Sequence, residues 1–461
     1  MTLIKSISGI RGTIGGEVSE SLTPIDIVKF TAAYSEWLKQ QKPGKKCKVA
    51  VGRDARISGE MVSNIVIGTL MGCGVDVINL GLATTPTVEM AVTGLDADGG
   101  LILTASHNPR QWNALKLLNS KGEFLSDEHG KKVLSIAEKG SFNFPEVDSI
   151  GNLIEEYSYI DEHIKKILDI DLVDKKAIAK AKFKVVIDCV NSVGGIALPR
   201  LLHTLGVKDI VELYTDPTGE FPHNPEPLPE HLHEISKVMV EQKADVGFVV
   251  DPDVDRLAIV NEDGSMFGEE YTLVAVADYV LSLKKGNTVS NLSSTVALRD
   301  VTKSYKGEYF ASAVGEVNVV TKMKAVNAVI GGEGNGGVIL PELHYGRDSL
   351  VGIALFLSHL AKSGKKCSAL RKTYPDYFIS KNKIELKAGI NPDAILEKLT
   401  IEFKNYPINK EDGLRIDFEE GWVHMRKSNT EPIIRIYSES KSFEKADNMA
   451  KKMIEKISQL K

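Results

Sequence analysis

Between the apolar runs Val246-Gly247-Phe248-Val249-Val250 and Leu257-Ala258-Ile259-Val260, the chain reads Asp251-Pro252-Asp253-Val254-Asp255-Arg256. Three carboxylates in five residues repel one another unless a cation or basic group neutralises them. An all-oxygen donor set suits Mg2+, which keeps its other positions for water or phosphate. Asp251, Asp253, Asp255 and Glu262 also match the acidic positions of a calcium-binding EF-hand loop. Arg256 stands where that loop needs its central glycine, however, and the flanks are strand-like rather than helical. The calcium reading fails, and a solvated acidic turn is the structural alternative.

Three further loops carry chemistry. Thr104-Ala105-Ser106-His107-Asn108-Pro109 follows the apolar strand Leu101-Ile102-Leu103. Polar residues at the carboxyl end of a strand lie at the edge where open α/β sheets bind ligands. Ser106 is a candidate nucleophile there, with His107, Asn108 and Lys116 close in sequence, although a serine needs an activating base. A capping serine in a turn is the alternative. Gly332-Glu333-Gly334-Asn335-Gly336-Gly337 formally matches a dinucleotide-binding fingerprint, which requires a helix to start there. Val338-Ile339-Leu340-Pro341 follows instead, so no nicotinamide site is expected. Glu333 and Asn335, flanked by glycines, suit hydrogen bonding to sugar hydroxyls; a plain hairpin turn is the alternative. Finally, Arg426-Lys427-Ser428-Asn429-Thr430-Glu431-Pro432, with Arg435 beyond, offers guanidinium, hydroxyl and amide donors for a phosphate. No G-x-x-x-x-G-K-[ST] loop for a nucleoside triphosphate occurs.

The elements that must position these loops alternate. Thr23-Pro24-Ile25-Asp26 is a capping-box pattern opening a helix to about Lys39. A strand at Lys48–Gly52, a helix at Gly59–Met71 and a strand at Val75–Leu80 follow, implying βαβ units around a mainly parallel sheet. The pattern recurs from Lys184 and, more faintly, from Thr288. After Lys372 the texture changes to short strands at 384–386, 414–418, 422–425 and 433–437, with helices at 392–403 and 443–460. The expected fold is three related α/β domains with mixed sheets and a small C-terminal α+β domain around a central cleft. The expected boundaries are 1–152 with the serine loop, 153–258 with the acidic loop, 259–373 with the Gly-Glu loop and 374–461 with the Arg-Ser loop. At about 100–200 residues per domain, 461 residues accommodate four.

Composition excludes several classes. Lys plus Arg total 57 and Asp plus Glu 62, a net charge of −5, so no basic footprint for nucleic acid is present. The four cysteines, Cys47, Cys73, Cys189 and Cys367, lie far apart with no C-x-x-C pair, and read as reduced thiols. The start lacks an apolar signal region, and the longest near-apolar run, Leu350 to Ala361, is too short to span a bilayer. A cytoplasmic protein is expected, without membrane or nucleic-acid partners.

Taken in order, the four loops resemble the α-D-phosphohexomutase family, and the resemblance includes Ser8-Gly9-Ile10-Arg11-Gly12 near the start. It spans essentially the whole chain. It implies that Ser106 is carried as a phosphoserine, with Mg2+ held by its phosphate and by Asp251, Asp253 and Asp255. The phosphoryl group would pass to a hexose monophosphate, giving a hexose 1,6-bisphosphate that turns round and returns its other phosphate to Ser106. Arg11, His107 and Arg256 would assist, and Lys116 falls where the family carries a candidate general acid/base lysine. Glu333 and Asn335 would hold sugar hydroxyls, and Arg426, Ser428, Asn429, Thr430 and Arg435 the distal phosphate. Many relatives read Asp-Gly-Asp-Gly-Asp-Arg where this chain has Pro252 and Val254. Many bacterial relatives have Gly-Glu-x-Ser-Gly-His where it has Asn335 and Gly337. His344 is a candidate replacement for that missing histidine, and Glu316 stands where relatives often place His or another acid. The expected activity is interconversion of glucosamine 6-phosphate and glucosamine 1-phosphate by a monomer or homodimer. The alternatives are phosphomannomutase/phosphoglucomutase activity and, from other classes, an aspartyl-phosphate-type sugar phosphatase or a silent phosphosugar sensor.

Overall fold

A computed structural model describes residues 2–6, 9–386, 390–428 and 433–460. The chain divides into two compact units, Met1–Thr272 with Asn335–Leu370, and Leu273–Gly334 with Arg371–Lys461. This division runs through the third expected domain.

In the first unit, Thr23 caps the helix Pro24–Gln41. Its side chain accepts the Asp26 N–H while Asp26 accepts the Thr23 N–H, and Pro24 occupies the first turn, where an N–H would have no partner. The strand Lys48–Arg53 runs parallel to Asp76–Leu82 on one side and Gly99–Leu103 on the other. Gly99–Leu103 is buried throughout, as strands covered on both faces must be. Trp112–Leu118 then pairs antiparallel with Gly99–Leu103 and with Gly9–Thr13, extending a seven-stranded sheet. That antiparallel flank carries Lys116 and Arg11. Tyr34, Trp37, Val49, Leu101 and Leu115 share the core on one face, and Val88, Ala91 and Ile102 that on the other.

A second sheet in this unit is centred on Lys184–Asp188 and Val246–Val250, parallel to each other, with Asp209–Leu213 outside the first. Leu257–Asn261 returns antiparallel to Val246–Val250, so the acidic motif is the connecting turn of a buried hairpin. The near-apolar run seen in the sequence is the helix Ser349–Ser363, buried over most of its length. Among the described residues, no helix is long and apolar enough to cross a membrane.

In the second unit, Asn287–Asn291 lies between parallel strands Tyr309–Ser312 and Ala328–Glu333. A five-stranded antiparallel sheet follows in the order Phe378–Glu385, Ile433–Ser440, Gly421–Lys427, Leu414–Phe418, Ile408–Asn409. Helices Pro392–Glu402 and Phe443–Gln459 supply Leu399 and Met453 to a core with Ile416, Val423 and Ile436. This is the α+β texture expected after Lys372.

Candidate active site

Ser106 sits three residues past the strand Gly99–Leu103, in a turn where its own φ is +49°. A left-handed non-glycine residue is uncommon and costs energy, so something must hold it there. That something is Arg56, a fully buried guanidinium. Its Nη2 donates to the carbonyls of Ser106 and, at 2.7 Å, Asn108; its Nη1 donates to Pro109 O at 2.8 Å and Trp112 O at 3.1 Å. Its Nε donates to Asp54 Oδ2 at 3.0 Å. Asp54 in turn accepts from Thr104 Oγ1 at 2.6 Å, and Thr104 accepts the Ser106 N–H at 2.9 Å. A rigid fork with five donors matches this task, as a lysine would not.

The held serine donates from Oγ to Asp251 Oδ2 at 2.7 Å, with His107 Nδ1 3.3 Å away. Asp251, Asp253 and Asp255 are all fully buried, each offering an oxygen within 4.8 Å of the others. The hairpin turn is tight: Val254 N donates to Asp251 O at 3.0 Å, and Asp251 Oδ1 accepts from Asp255 N and Arg256 N at 3.2 and 3.1 Å. Val254 adopts φ +63°, a backbone state that glycine takes without strain. That is a physical reason for the Gly at this place in the motif it resembles. Lys116 Nζ and Thr85 Oγ1 each donate to Asp253 Oδ2 at 2.7 Å, and Arg347 Nη2 donates to Asp255 Oδ2 at 2.6 Å. Arg256 pairs with Glu226 at 3.1 Å.

The electrostatics follow. Burial, reinforced by the charges of Asp253 and Asp255, pushes the Asp251 carboxyl far above the usual range. Burial acts the same way on Asp253, but the Lys116 ammonium and the Thr85 hydroxyl outweigh it and hold that carboxyl down. Burial acts downward on Lys116, yet Asp253 and Asp255 raise it on balance, so it is an ammonium at neutral pH. Burial and the Arg256 charge keep His107 neutral. Asp253 Oδ1 and Asp255 Oδ1 are buried and accept no hydrogen bond. Unpaired buried carboxylate oxygens are costly, and an oxygen-seeking divalent cation is what would use them. The donor set therefore fits Mg2+.

The remaining expected residues fall elsewhere. Arg11 pairs with Ala114 across the Gly9–Thr13 and Trp112–Leu118 strands. Directly opposed residues share a face, and so do residues two apart; Arg11 and Lys116 therefore share one. In the second unit, Glu333 is buried and accepts from Asn291 Nδ2 at 3.0 Å and Gly315 N at 3.1 Å. Asn335, in the first unit, closes its own turn by accepting the Gly337 N–H at 3.2 Å. The strand Gly337–Ile339 follows, where a dinucleotide site would need a helix. Arg426 lies directly opposite Arg435, which lies directly opposite Lys383 on the next strand. Three cations in one cross-strand row repel one another unless anions join them, and Asp412 Oδ2 already lies 3.4 Å from Arg426 Nη1. Ser428 begins the loop beyond Arg426, its N–H donated to Ile433 O at 3.0 Å. Asn429, Thr430, Glu431 and Pro432, and Ser8 of the first motif, lie outside the described residues. His344 does not replace the missing sugar-loop histidine: it is bonded between Glu89 and Asp348. Burial acts downward on it, but the hydrogen bonds to Asp348 and Glu89 and their charges prevail, lifting it to about 10. Glu316 is the first residue of the helix Glu316–Ala325 and is buried.

Sequence reasoning missed Arg56, Asp54, Thr85, Arg347 and Lys383. Arg53-Asp54-Ala55-Arg56 leaves the carboxyl end of a buried strand, the same signal that drew attention to Ser106. Thr85 and Arg347 carry no local signal, because their partners lie 168 and 92 residues away.

Three α/β layers, a buried acidic hairpin against a strained serine, and a cationic row in a final α+β domain define a class of phosphoryl-handling enzyme. Models of the phosphoglucomutase/phosphomannomutase family match the chain in order: alpha/beta/alpha domain I over residues 3–144, domain II over 158–264, domain III over 268–377 and the C-terminal domain over 383–456. The chain belongs to that phosphohexomutase family, whose members are intramolecular phosphotransferases. It is 38% identical over 441 residues to a phosphoglucomutase/phosphomannomutase of Thermococcus kodakarensis, covering 94% of this chain and 95% of the relative. It is 32% identical to a phosphoglucosamine/phosphogalactosamine mutase of Sulfurisphaera tokodaii, covering 97% and 98%. A crystal structure of a phosphoglucomutase/phosphomannomutase family protein from Burkholderia thailandensis superposes with a TM-score of 0.83 at 26% identity, covering 97% and 96%.

Proposed function

We propose that this phosphohexomutase interconverts a hexose 6-phosphate and its α-hexose 1-phosphate through phosphorylated Ser106 and a hexose 1,6-bisphosphate, with glucosamine 6-phosphate the first substrate. One observation carries the mechanism: Ser106 Oγ is hydrogen-bonded to Asp251, inside a buried carboxylate triad that still holds two unused oxygens. In the forward step a substrate hydroxyl oxygen bonds to the phosphorus on Ser106, the Oγ–P bond breaks, and the hydroxyl proton ends on the freed Oγ. After the bisphosphate turns round, Oγ bonds to the phosphorus of its other phosphoryl group, that sugar O–P bond breaks, and the Oγ proton ends on the product hydroxyl. Asp251, Asp253 and Asp255 would hold Mg2+, which when bound supplies neutralisation of phosphoryl charge. Lys116, an ammonium beside Asp253, is in the protonation state for stabilising the transferring oxygens and protonating a leaving one. Arg256 and Arg11 add positive charge. Glu333 and Asn335 orient the sugar, and Arg426, Arg435, Ser428, Asn429 and Thr430 hold the distal phosphate.

The amino-sugar reading is supported by the 32% relative's name. A second reading, glucose or mannose phosphate, is favoured by the 38% relative. Turnover of glucosamine, glucose and mannose 6-phosphates with the matching bisphosphate as activator decides between them. A kcat/KM for glucosamine 6-phosphate below those of the other two would reverse the assignment of substrate but not of reaction. A phosphatase using Asp251 would instead show phosphate release without bisphosphate.

A further inference from the structure

We propose that His163, His344 and Asp348 form a second metal site, distinct from the aspartate triad and selective for a borderline divalent cation such as Zn2+. His163 Nε2 lies 2.9 Å and His344 Nε2 3.3 Å from the same oxygen, Asp348 Oδ2, and the three donor atoms lie within 4.8 Å of one another. Ligands of a tetrahedral zinc, each about 2.0–2.1 Å from the ion, stand roughly 3.3 Å apart. The two separations to Asp348 Oδ2, 2.9 and 3.3 Å, are of that size.

The outer partners matter as much as the donors. A metal-bound histidine needs its other ring nitrogen held by an acceptor, which fixes the tautomer and aims the lone pair. Here His344 Nδ1 lies 3.3 Å from the Glu89 carboxylate. His163 Nδ1 lies 3.0 Å from Thr87 Oγ1, which is itself 2.7 Å from Thr84 Oγ1. Asp348 Oδ1 accepts the N–H groups of Leu350 and Val351 at 2.8 and 3.3 Å, leaving Oδ2 for the shared centre. The three donor atoms thus lie together, with Thr87 hydrogen-bonded behind His163, backbone N–H groups behind Asp348 and the Glu89 carboxylate near His344.

Charge and burial point the same way. His163, Asp348 and Glu89 are essentially inaccessible, while His344 retains 12% exposure and gives the approach. Two buried carboxylates, Asp348 and Glu89, flank the two imidazoles and supply the negative charge that a divalent cation would balance. The ligand chemistry separates this site from the triad: imidazole suits Zn2+ and its neighbours, whereas an all-oxygen set suits Mg2+. The site would tie the helix Thr85–Gly94, the helix Tyr159–Leu168 and the loop that precedes Ser349–Ser363. That loop carries Arg347, which is bonded to Asp255. The site is therefore a structural staple behind the reaction centre.

The test uses the full chain, stripped with chelator, given Zn2+ in a large excess of Mg2+, then freed of loose metal by gel filtration. Elemental analysis should find one zinc per chain in the wild type and in Asp251→Asn, and none retained by His163→Gln or His344→Gln. Glu89→Gln should weaken zinc binding by roughly 10–100-fold, as loss of an outer partner does. X-ray absorption at the zinc edge of the wild type, which needs no variant to fold, should show two imidazole ligands. Absence of retained zinc, retention by the histidine variants, loss in Asp251→Asn, or an all-oxygen shell would each overturn the proposal.

Discussion

Replacing Ser106 by alanine and by glycine separates its chemistry from its backbone strain. Its φ of +49° costs an L-residue roughly 1 kcal/mol more than glycine. Its hydroxyl is a donor to Asp251 Oδ2 at 2.7 Å. Removing that donor inside a buried carboxylate cluster costs about 1–3 kcal/mol. Relative to dephosphorylated wild type, Ser106→Ala should therefore lose about 1–3 kcal/mol, keeping the strain and losing the bond. Ser106→Gly should recover up to about 1 kcal/mol of this through relief of strain. For a unit of this size, that difference corresponds to at most about 1–2 °C in Tm. Both variants should have no measurable mutase turnover. Differential scanning calorimetry read beside a coupled mutase assay checks both halves. A glycine variant that melts below the alanine variant refutes the strain argument, and turnover in either refutes the phosphoserine.

Arg56→Lys retains the charge but has three donors where five are used; it should cost about 2–4 kcal/mol in stability and lower kcat, checked by denaturant unfolding and steady-state kinetics. Asp253→Asn, or removal of divalent metal, should lower kcat far more than it raises KM, because the triad faces charge that develops on the transferring group; an effect on KM alone would count against a catalytic metal. Arg426→Ala should cost roughly 2–4 kcal/mol in kcat/KM by loosening the distal phosphate, and wild-type kinetics would remove that loop from the site. His424 is buried, bonded to Ser293 Oγ at 2.8 Å and Asp412 O at 2.6 Å, and burial depresses it to about 4. The unfolded chain takes up that proton first, so this contribution to the second unit is complete above about pH 6.5 and lost as pH falls toward about 4. His424→Gln should flatten the loss of Tm between pH 7 and 4.5.

Legibility followed locality. Ser106 and the three aspartates stood out as candidates because each motif is contiguous and flanked by unmistakable apolar strands. The capping box at Thr23 and the strands of the last domain were readable for the same reason: near-neighbour hydrogen bonds and alternation determine them. The strand Trp112–Leu118 was harder, since Asn113 and Lys116 interrupt its apolar run, although both are buried by partners distant in sequence. Arg56, Thr85 and Arg347 become site residues only when separate loops meet. His344 illustrates the opposite error, a residue close in sequence to the sugar loop that folding delivers to Glu89 and Asp348 instead. Division of the chain between its two compact units was likewise illegible, because the buried helix Ser349–Ser363 joins the first unit through long-range packing, with its Ser358 accepting the Asp174 N–H.

The central claim is that Ser106 carries and transfers the phosphoryl group. Intact-mass and peptide spectrometry of enzyme charged with a hexose 1,6-bisphosphate, before and after mixing with excess glucosamine 6-phosphate, test it most directly. The prediction is one phosphate on the peptide containing Ser106, lost upon mixing as an equivalent of glucosamine 1,6-bisphosphate forms. A phosphate on Asp251, or its release as inorganic phosphate without bisphosphate, would contradict it.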